Sequence, residues 1–245
     1  MAYEALAASY DRLTRDIPYE AVLAFYKQLW ERYGQRPASA VDLACGTGSM
    51  ALLLAREGLS VLGVDRSEEM LTVAAEKAAE LDCPPYFVCQ RMEKLRLPAP
   101  VDLVVCCLDG VNYITEPAAL RETFARVYKA LNPGGLFLFD INSEAKLRGL
   151  DGQVFLDEDE EVFCLWRAEY DAAARLCTYG MDIFQKRGKL WERNREEHQE
   201  YAYRTEELTA WLNEAGFVNV HAYADRKLEA PAPDEQRIFI AAQKK

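Results

Sequence analysis

Residues 40–65 constrain this chain more than any other stretch. An apolar run, Ala40–Ala44, enters a turn carrying Gly46 and Gly48, and a helix-forming run, Met50–Glu57, follows. A second short run, Ser60–Val64, then ends at Asp65. Strand, glycine turn, helix and strand in this order specify one crossover of a parallel sheet. Glycine lets the backbone bend tightly and lets a ligand approach where a Cβ would clash. An acid at the tip of the second strand is placed to accept from two hydroxyls of a ribose lying across the strand ends. The stretch suits an adenosine-containing molecule.

The alternation continues. Strands are expected at 40–44, 60–64, 86–89, 101–106 and 136–141, with helices at 48–57, 67–80 and 117–130 between them. The fourth strand, Val101–Cys106, is nearly all apolar, as a strand covered on both faces should be. Two helices, 3–15 and 20–33, precede the first strand, separated by Asp16-Ile17-Pro18. Near residue 150 the rhythm changes to strands in polar company: 161–170, 176–184 and 190–203. These read as a small antiparallel sheet inserted after the fifth strand, with Asp157–Glu161 as a solvated acidic turn. A helix at 205–215, opened by Thr205 and closed by Gly216, and strands at 217–223 and 237–243 complete the chain. The expected organisation is one α/β domain, 1–149 and 204–245, with a helical cap over 1–35 and an inserted β lid over 150–203.

Composition excludes some classes. A formal net charge of −11 argues against a broad nucleic-acid footprint, which needs clustered Lys and Arg. With seven cysteines, no Cys-x-x-Cys and only His198 and His221 as imidazoles, no zinc site is expected. Cys45, Cys89, Cys106 and Cys107 fall in strands or at their ends and read as buried thiols of a reducing compartment. Acidic residues interrupt Met1–Asp16 before any long apolar run, so neither a secretion signal nor a membrane span is expected, and the location implied is cytoplasmic. A homodimer formed through the inserted sheet stays open.

Two cofactors fit the bare glycine pattern. Gly46-Thr47-Gly48-Ser49-Met50-Ala51 matches a loose dinucleotide fingerprint with alanine at the third glycine position. Asp42, inside the first strand, tips the balance. A carboxylate aimed at the turn repels a pyrophosphate and attracts a ligand carrying an ammonium and a sulfonium. A strand-end acid that merely caps the turn is the alternative. Val41-Asp42-Leu43-Ala44-Cys45-Gly46-Thr47-Gly48 resembles motif I of the class I S-adenosylmethionine-dependent methyltransferases. Gly63-Val64-Asp65-Arg66-Ser67 resembles their ribose-binding segment, and Leu131-Asn132-Pro133-Gly134-Gly135-Leu136 their turn into the fifth strand. The resemblance implies a seven-stranded, Rossmann-like doubly wound sheet of order 3-2-1-4-5-7-6. It also implies S-adenosyl-L-methionine as cofactor, S-adenosyl-L-homocysteine as product and a small-molecule acceptor. The chain looks especially like a bacterial group with no assigned substrate. A module that binds the cofactor without catalysis and an NAD(P)-dependent oxidoreductase are the alternatives.

In-line methyl transfer asks mainly for placement, which is worth effective molarities of about 10⁵–10⁸ M, so no conspicuous catalytic residue is required. Carried onto this sequence, the family pattern puts Asp42, Ala44, Cys45, Gly46, Thr47 and Gly48 at the methionine end of the cofactor and Asp65 on its ribose. Arg66 and Met70 flank ribose and adenine. Val88–Glu93 resembles the adenine-edge segment, with Arg91 where that family commonly has an acid; an arginine offers no acceptor. Met92 can present its N–H instead, while Arg91 can stack or Glu93 substitute. Leu108 and Asp109 pass beneath the cofactor, and Asn112 and Tyr113 face the substrate. Among Tyr3, Tyr10 and Tyr19 of the N-terminal helices, Tyr10 is placed near the sulfonium. Tyr113 and His198 are the candidate catalytic groups, each with ordinary packing as its alternative.

Overall fold

A computed structural model describes residues 7–245. The first crossover forms as the pattern requires: β1 (Ser39–Leu43), α3 (Ser49–Arg56) and β2 (Ser60–Asp65). The units α4 (Glu68–Ala78), β3 (Tyr86–Cys89), β4 (Val101–Cys106), α5 (Pro117–Ala130) and β5 (Leu131–Asn142) follow. The chain closes with α7 (Thr205–Ala215), β10 (Phe217–Tyr223) and β11 (Arg237–Lys244). The large sheet runs β10-β11-β5-β4-β1-β2-β3, the expected order. Strands β1 to β5 pair in parallel, and β11 runs antiparallel to both β5 and β10.

Successive residues of a strand point to opposite faces, so a sheet covered on both sides needs apolar residues at every position. Val41, Leu43, Val104, Cys106, Phe137 and Phe139 face one core, where α5 and α7 pack with Phe124, Val127, Leu208 and Leu212. Ala40, Leu103, Val105, Leu136 and Leu138 face the other. There α2 (Tyr19–Arg32) buries Val22, Leu23, Phe25, Tyr26, Leu29 and Trp30, the spacing of one helical face. Asp42 shares the parity of Ala40 and therefore points toward this second layer.

The expected helix over 3–15 is shorter in its described part. A 3-10 turn (Ala7–Ser9) leads into a single turn of helix, α1 (Tyr10–Leu13). Thr14 Oγ1 donates back to the Tyr10 carbonyl at 2.7 Å, and the chain turns away toward Pro18. Tyr3 lies outside the described residues.

The inserted sheet has four strands: β6 (Val154–Glu158), β7 (Val162–Asp171), β8 (Leu176–Arg187) and β9 (Leu190–Tyr201). The first is a correction. Asp157 and Glu158, expected in an acidic turn, end β6, and only Asp159–Glu161 turn, with Asp159 Oδ1 accepting from the Glu161 and Val162 amides. A short helix absent from the sequence reading, α6 (Glu144–Gly149), starts at Ser143, whose side chain caps the Lys146 amide at 3.1 Å. Cys89 is also corrected: it is exposed, because β3 is an edge strand, whereas Cys45, Cys106 and Cys107 are buried. No helix among the described residues is long and apolar enough to cross a membrane.

Candidate active site

The turn after β1 is built from left-handed backbone. Ala44, Gly46 and Gly48 have φ of 59°, 52° and 79°. At Gly48 a Cβ would stand 3.0 Å from the Ala74 Cβ, so glycine there lets α3 start against α4. Asp65 holds the turn from the neighbouring strand tip. Its Oδ2 accepts from the Gly46 amide and its Oδ1 from the Ser67 amide, both at 2.9 Å. Asp42, one strand over and 1% exposed, has one carboxyl oxygen, Oδ2, without a hydrogen-bond partner among the described residues. Burial pushes its carboxyl up to about 8, with the Asp65 charge adding and the Ala51 backbone N–H opposing.

These groups open onto a cleft of about 510 Å³ at the carboxyl ends of β1, β2 and β4, where open α/β sheets bind their ligands. Asp42, Ala44, Cys45, Gly46, Asp65, Arg66 and Met70 line one end. Arg91, Met92 and Glu93 line the next wall, and Tyr10, Leu108, Asp109 and Tyr113 complete it. The floor after β4 is strained: Leu108 and Asp109 both have φ of 55°. Asp140, fully buried in β5, pins them by accepting from the Leu108 amide at 2.8 Å and the Asp109 amide at 3.2 Å. Arg237 at the start of β11 bridges Asp140 and Asp109, the latter at 2.8 Å.

Four expected site residues stand elsewhere. Asn112 is fully buried and off the cleft. Its Nδ2 donates to the Asn142 and Tyr201 carbonyls and its Oδ1 accepts from the Asn142 amide, so it ties β5 to the end of β9. Replacing Asn112 with alanine is expected to cost about 2–3 kcal/mol in urea unfolding, since buried backbone groups lose their partner. Thr47 does not line the cleft; its Oγ1 donates to Asp11 Oδ1 at 2.5 Å. Gly48 lies behind it as the helix start. His198 is buried on β9, off the cleft, with Nε2 at 2.9 Å from Glu196 Oε2 and its ring edge-on to Tyr113 at 6.2 Å. That geometry gives it no direct access to a ligand in the cleft.

A methyltransferase-domain family profile matches residues 40–135. A protein of Geobacillus sp. strain WCH70 that carries a provisional methyltransferase name, with no acceptor in it, is 35% identical, with the whole of both chains covered. The crystal structure of an S-adenosylmethionine-dependent methyltransferase from Clostridium acetobutylicum superposes with a TM-score of 0.88 at 30% identity, covering 99% of this chain and 98% of that one. The chain belongs to the class I S-adenosylmethionine-dependent methyltransferases. At 20% identity, and so informative for fold alone, lies an S-adenosylmethionine-bound amino pentose methyltransferase from Micromonospora echinaspora, with a TM-score of 0.74 and coverage of 100% and 98%.

Within this methyltransferase, the residue that departs from the family pattern has a local partner. Arg91 is exposed, and its Nε pairs with Glu93 Oε1 at 2.5 Å. Tyr19, weighed in the sequence beside Tyr10, also lines the cleft, while sequence reasoning missed Gln90 and Arg237 in the lining and Asp140 beneath it. A signal existed for Asp140: it is the one charged residue in the apolar run Leu136–Ile141. Tyr10 and Tyr19 both hold their hydroxyl protons more tightly than usual, first because of burial, then because acids or phenols stand nearby. Neither phenol is a base at neutral pH.

Proposed function

We propose that this methyltransferase binds S-adenosylmethionine across the strand tips and methylates a small molecule admitted to the rest of the cleft. The observation that carries the site is the Asp42 oxygen, buried, unpartnered and beside a left-handed turn. A buried acceptor without a donor is costly, and an ammonium group supplies both the donor and the counter-charge. The donor set fits S-adenosylmethionine, which supplies a methyl carbon activated by a sulfonium. On this reading Asp42 and the turn 44–46 hold the amino-acid portion. Asp65, with Arg66 and Met70, holds the ribose side, and Met92, Glu93 and Arg91 border the adenine. Leu108 and Asp109 form the floor beneath, while Tyr10 and Tyr113 close the acceptor side and exclude water. The segments 1–35 and 150–203 act as the lid of the domain 1–149 and 204–245. A cleft of about 510 Å³ suits a small acceptor.

Two experiments test the reading. Incubation with methyl-labelled S-adenosylmethionine and fractionated cell extract is expected to label a low-molecular-weight product, identified by mass spectrometry; label confined to protein or nucleic acid would overturn the acceptor class. Asp65→Ala is expected to weaken S-adenosylhomocysteine binding by roughly tenfold to a hundredfold in calorimetric titration, the worth of hydrogen bonds to a charged group. Unchanged affinity removes Asp65 from the site.

A further inference from the structure

We propose that Lys77, on α4 and outside the cleft, is a positioning residue for Tyr10. It holds Asp11 against the glycine turn and thereby sets the neighbouring tyrosine in the cleft. The proposal rests on the reading of that cleft as the methyl-donor site. The segment carrying Tyr10 has little structure of its own. Helix α1 is one turn long and none of its four residues is fully buried. A lone turn is far below the length at which a helix persists without tertiary support, about 12–15 residues. Its place must come from side-chain anchors.

Three successive residues supply them, two against the inserted sheet and one against the glycine turn. Ser9 Oγ accepts from Gln185 Nε2 at 2.8 Å, a buried contact with the inserted sheet. Tyr10 enters the cleft and, with Leu13, packs on Val162, Cys164 and Ile183 of the same sheet. Asp11 faces the opposite way, toward the glycine turn. Its Oδ2 accepts from Lys77 Nζ at 2.6 Å while its Oδ1 accepts from the Thr47 hydroxyl at 2.5 Å. The same ammonium donates to Ser49 Oγ at 3.1 Å and approaches Thr47 Oγ1 at 3.4 Å, so one cation gathers the turn, the start of α3 and the N-terminal segment. Without Lys77, Asp11 keeps a single neutral donor among the described residues, in a region where Asp65 already places negative charge. Thr47 therefore serves the site from behind.

Limited digestion and a binding cycle test this together. The Arg12–Leu13 bond lies inside the anchored segment, so trypsin reports on its release in the ligand-free protein. Lys77→Met is expected to speed that cut and to weaken S-adenosylhomocysteine binding, each by about two- to fivefold, the scale of a partly exposed ion pair. Lys77→Arg is expected to behave as wild type, and raised salt to shrink the difference. In a Tyr10→Ala background, Lys77→Met is expected to cost no further affinity, which a merely structural role would not produce. Wild-type digestion of Lys77→Met with an intact circular-dichroism spectrum would overturn the anchor. Additive losses in the double variant would overturn its link to Tyr10. If the wild-type protein fails to bind S-adenosylhomocysteine, the functional reading falls, while the digestion result still decides the anchor.

Discussion

Exchanging Asp42 for asparagine is expected to weaken S-adenosylhomocysteine binding by about a hundredfold while making the ligand-free protein more stable. Both effects come from one buried carboxyl. Its folded-state value, about 8, lies above the ordinary 3.8, so at intermediate pH the folded chain holds a proton that the unfolded chain has lost. Wild-type stability therefore falls by up to about 1.4 kcal/mol per pH unit across that window, and the asparagine variant escapes this slope. Between pH 6 and pH 8 the variant is expected to gain about 2–3 kcal/mol on wild type in urea titrations. Binding carries the matching signature. At pH 6.5 the free carboxyl is protonated, and pairing it with an ammonium ionises it. Close to one proton is expected to leave for each ligand bound to wild type, and none for the variant. Calorimetry in buffers of different ionisation heat reads this directly. Binding at pH 6.5 without proton release would show that Asp42 does not meet the cationic end of the ligand.

The same residue shows what the sequence could disclose. Asp42 stood out as a carboxylate inside the first strand and aimed at the glycine turn, and the family resemblance carried by three motifs implied the sheet order. Short-range features of that kind were legible. The inserted sheet was legible as a sheet, yet its edge strand β6 was not, because an edge tolerates the exposed acids that elsewhere mark a turn. Asn112 lies off the cleft for a different reason. A polar residue directly before Tyr113, in the stretch after the fourth strand, resembles a ligand contact, whereas its partners Asn142 and Tyr201 lie 30 and 89 residues away. Thr47 turns from the cleft in the same manner, since the motif names the residue but Asp11 and Lys77 decide which way its hydroxyl points. Long-range pairings of polar side chains leave no periodic trace. The floor of the cleft, held by Asp140 and Arg237, belongs to this second class.

Arg237→Met is accordingly expected to be the most destabilising change in the cleft, costing about 3–5 kcal/mol at pH 7. The guanidinium is 22% exposed and lies between Asp109 and the fully buried Asp140. Burial already pushes the Asp140 carboxyl up, with Arg237 the main opposing influence, while the arginine's own proton is held more tightly than usual by the two acids. Methionine fills much of the volume but leaves two facing carboxyls without a cation. Asp140 must then be protonated in the folded state and ionised in the unfolded one at neutral pH. The deficit should therefore widen as pH rises and narrow toward pH 5, whereas the loss of a surface ion pair is flat over that range. Function should suffer with stability, because an Asp140 that has lost its charge grips the Leu108 and Asp109 amides less firmly. Those two left-handed residues cost about 1–3 kcal/mol each to hold. Adding Asp140→Asn removes the need to take up a proton on folding and should recover most of the stability, but not the affinity for S-adenosylhomocysteine, since an amide accepts from the two N–H groups more weakly than a carboxylate. Urea unfolding at pH 5, 7 and 8 with parallel calorimetry separates these effects. A loss independent of pH would mean that Arg237 acts by packing and that the two acids find other partners.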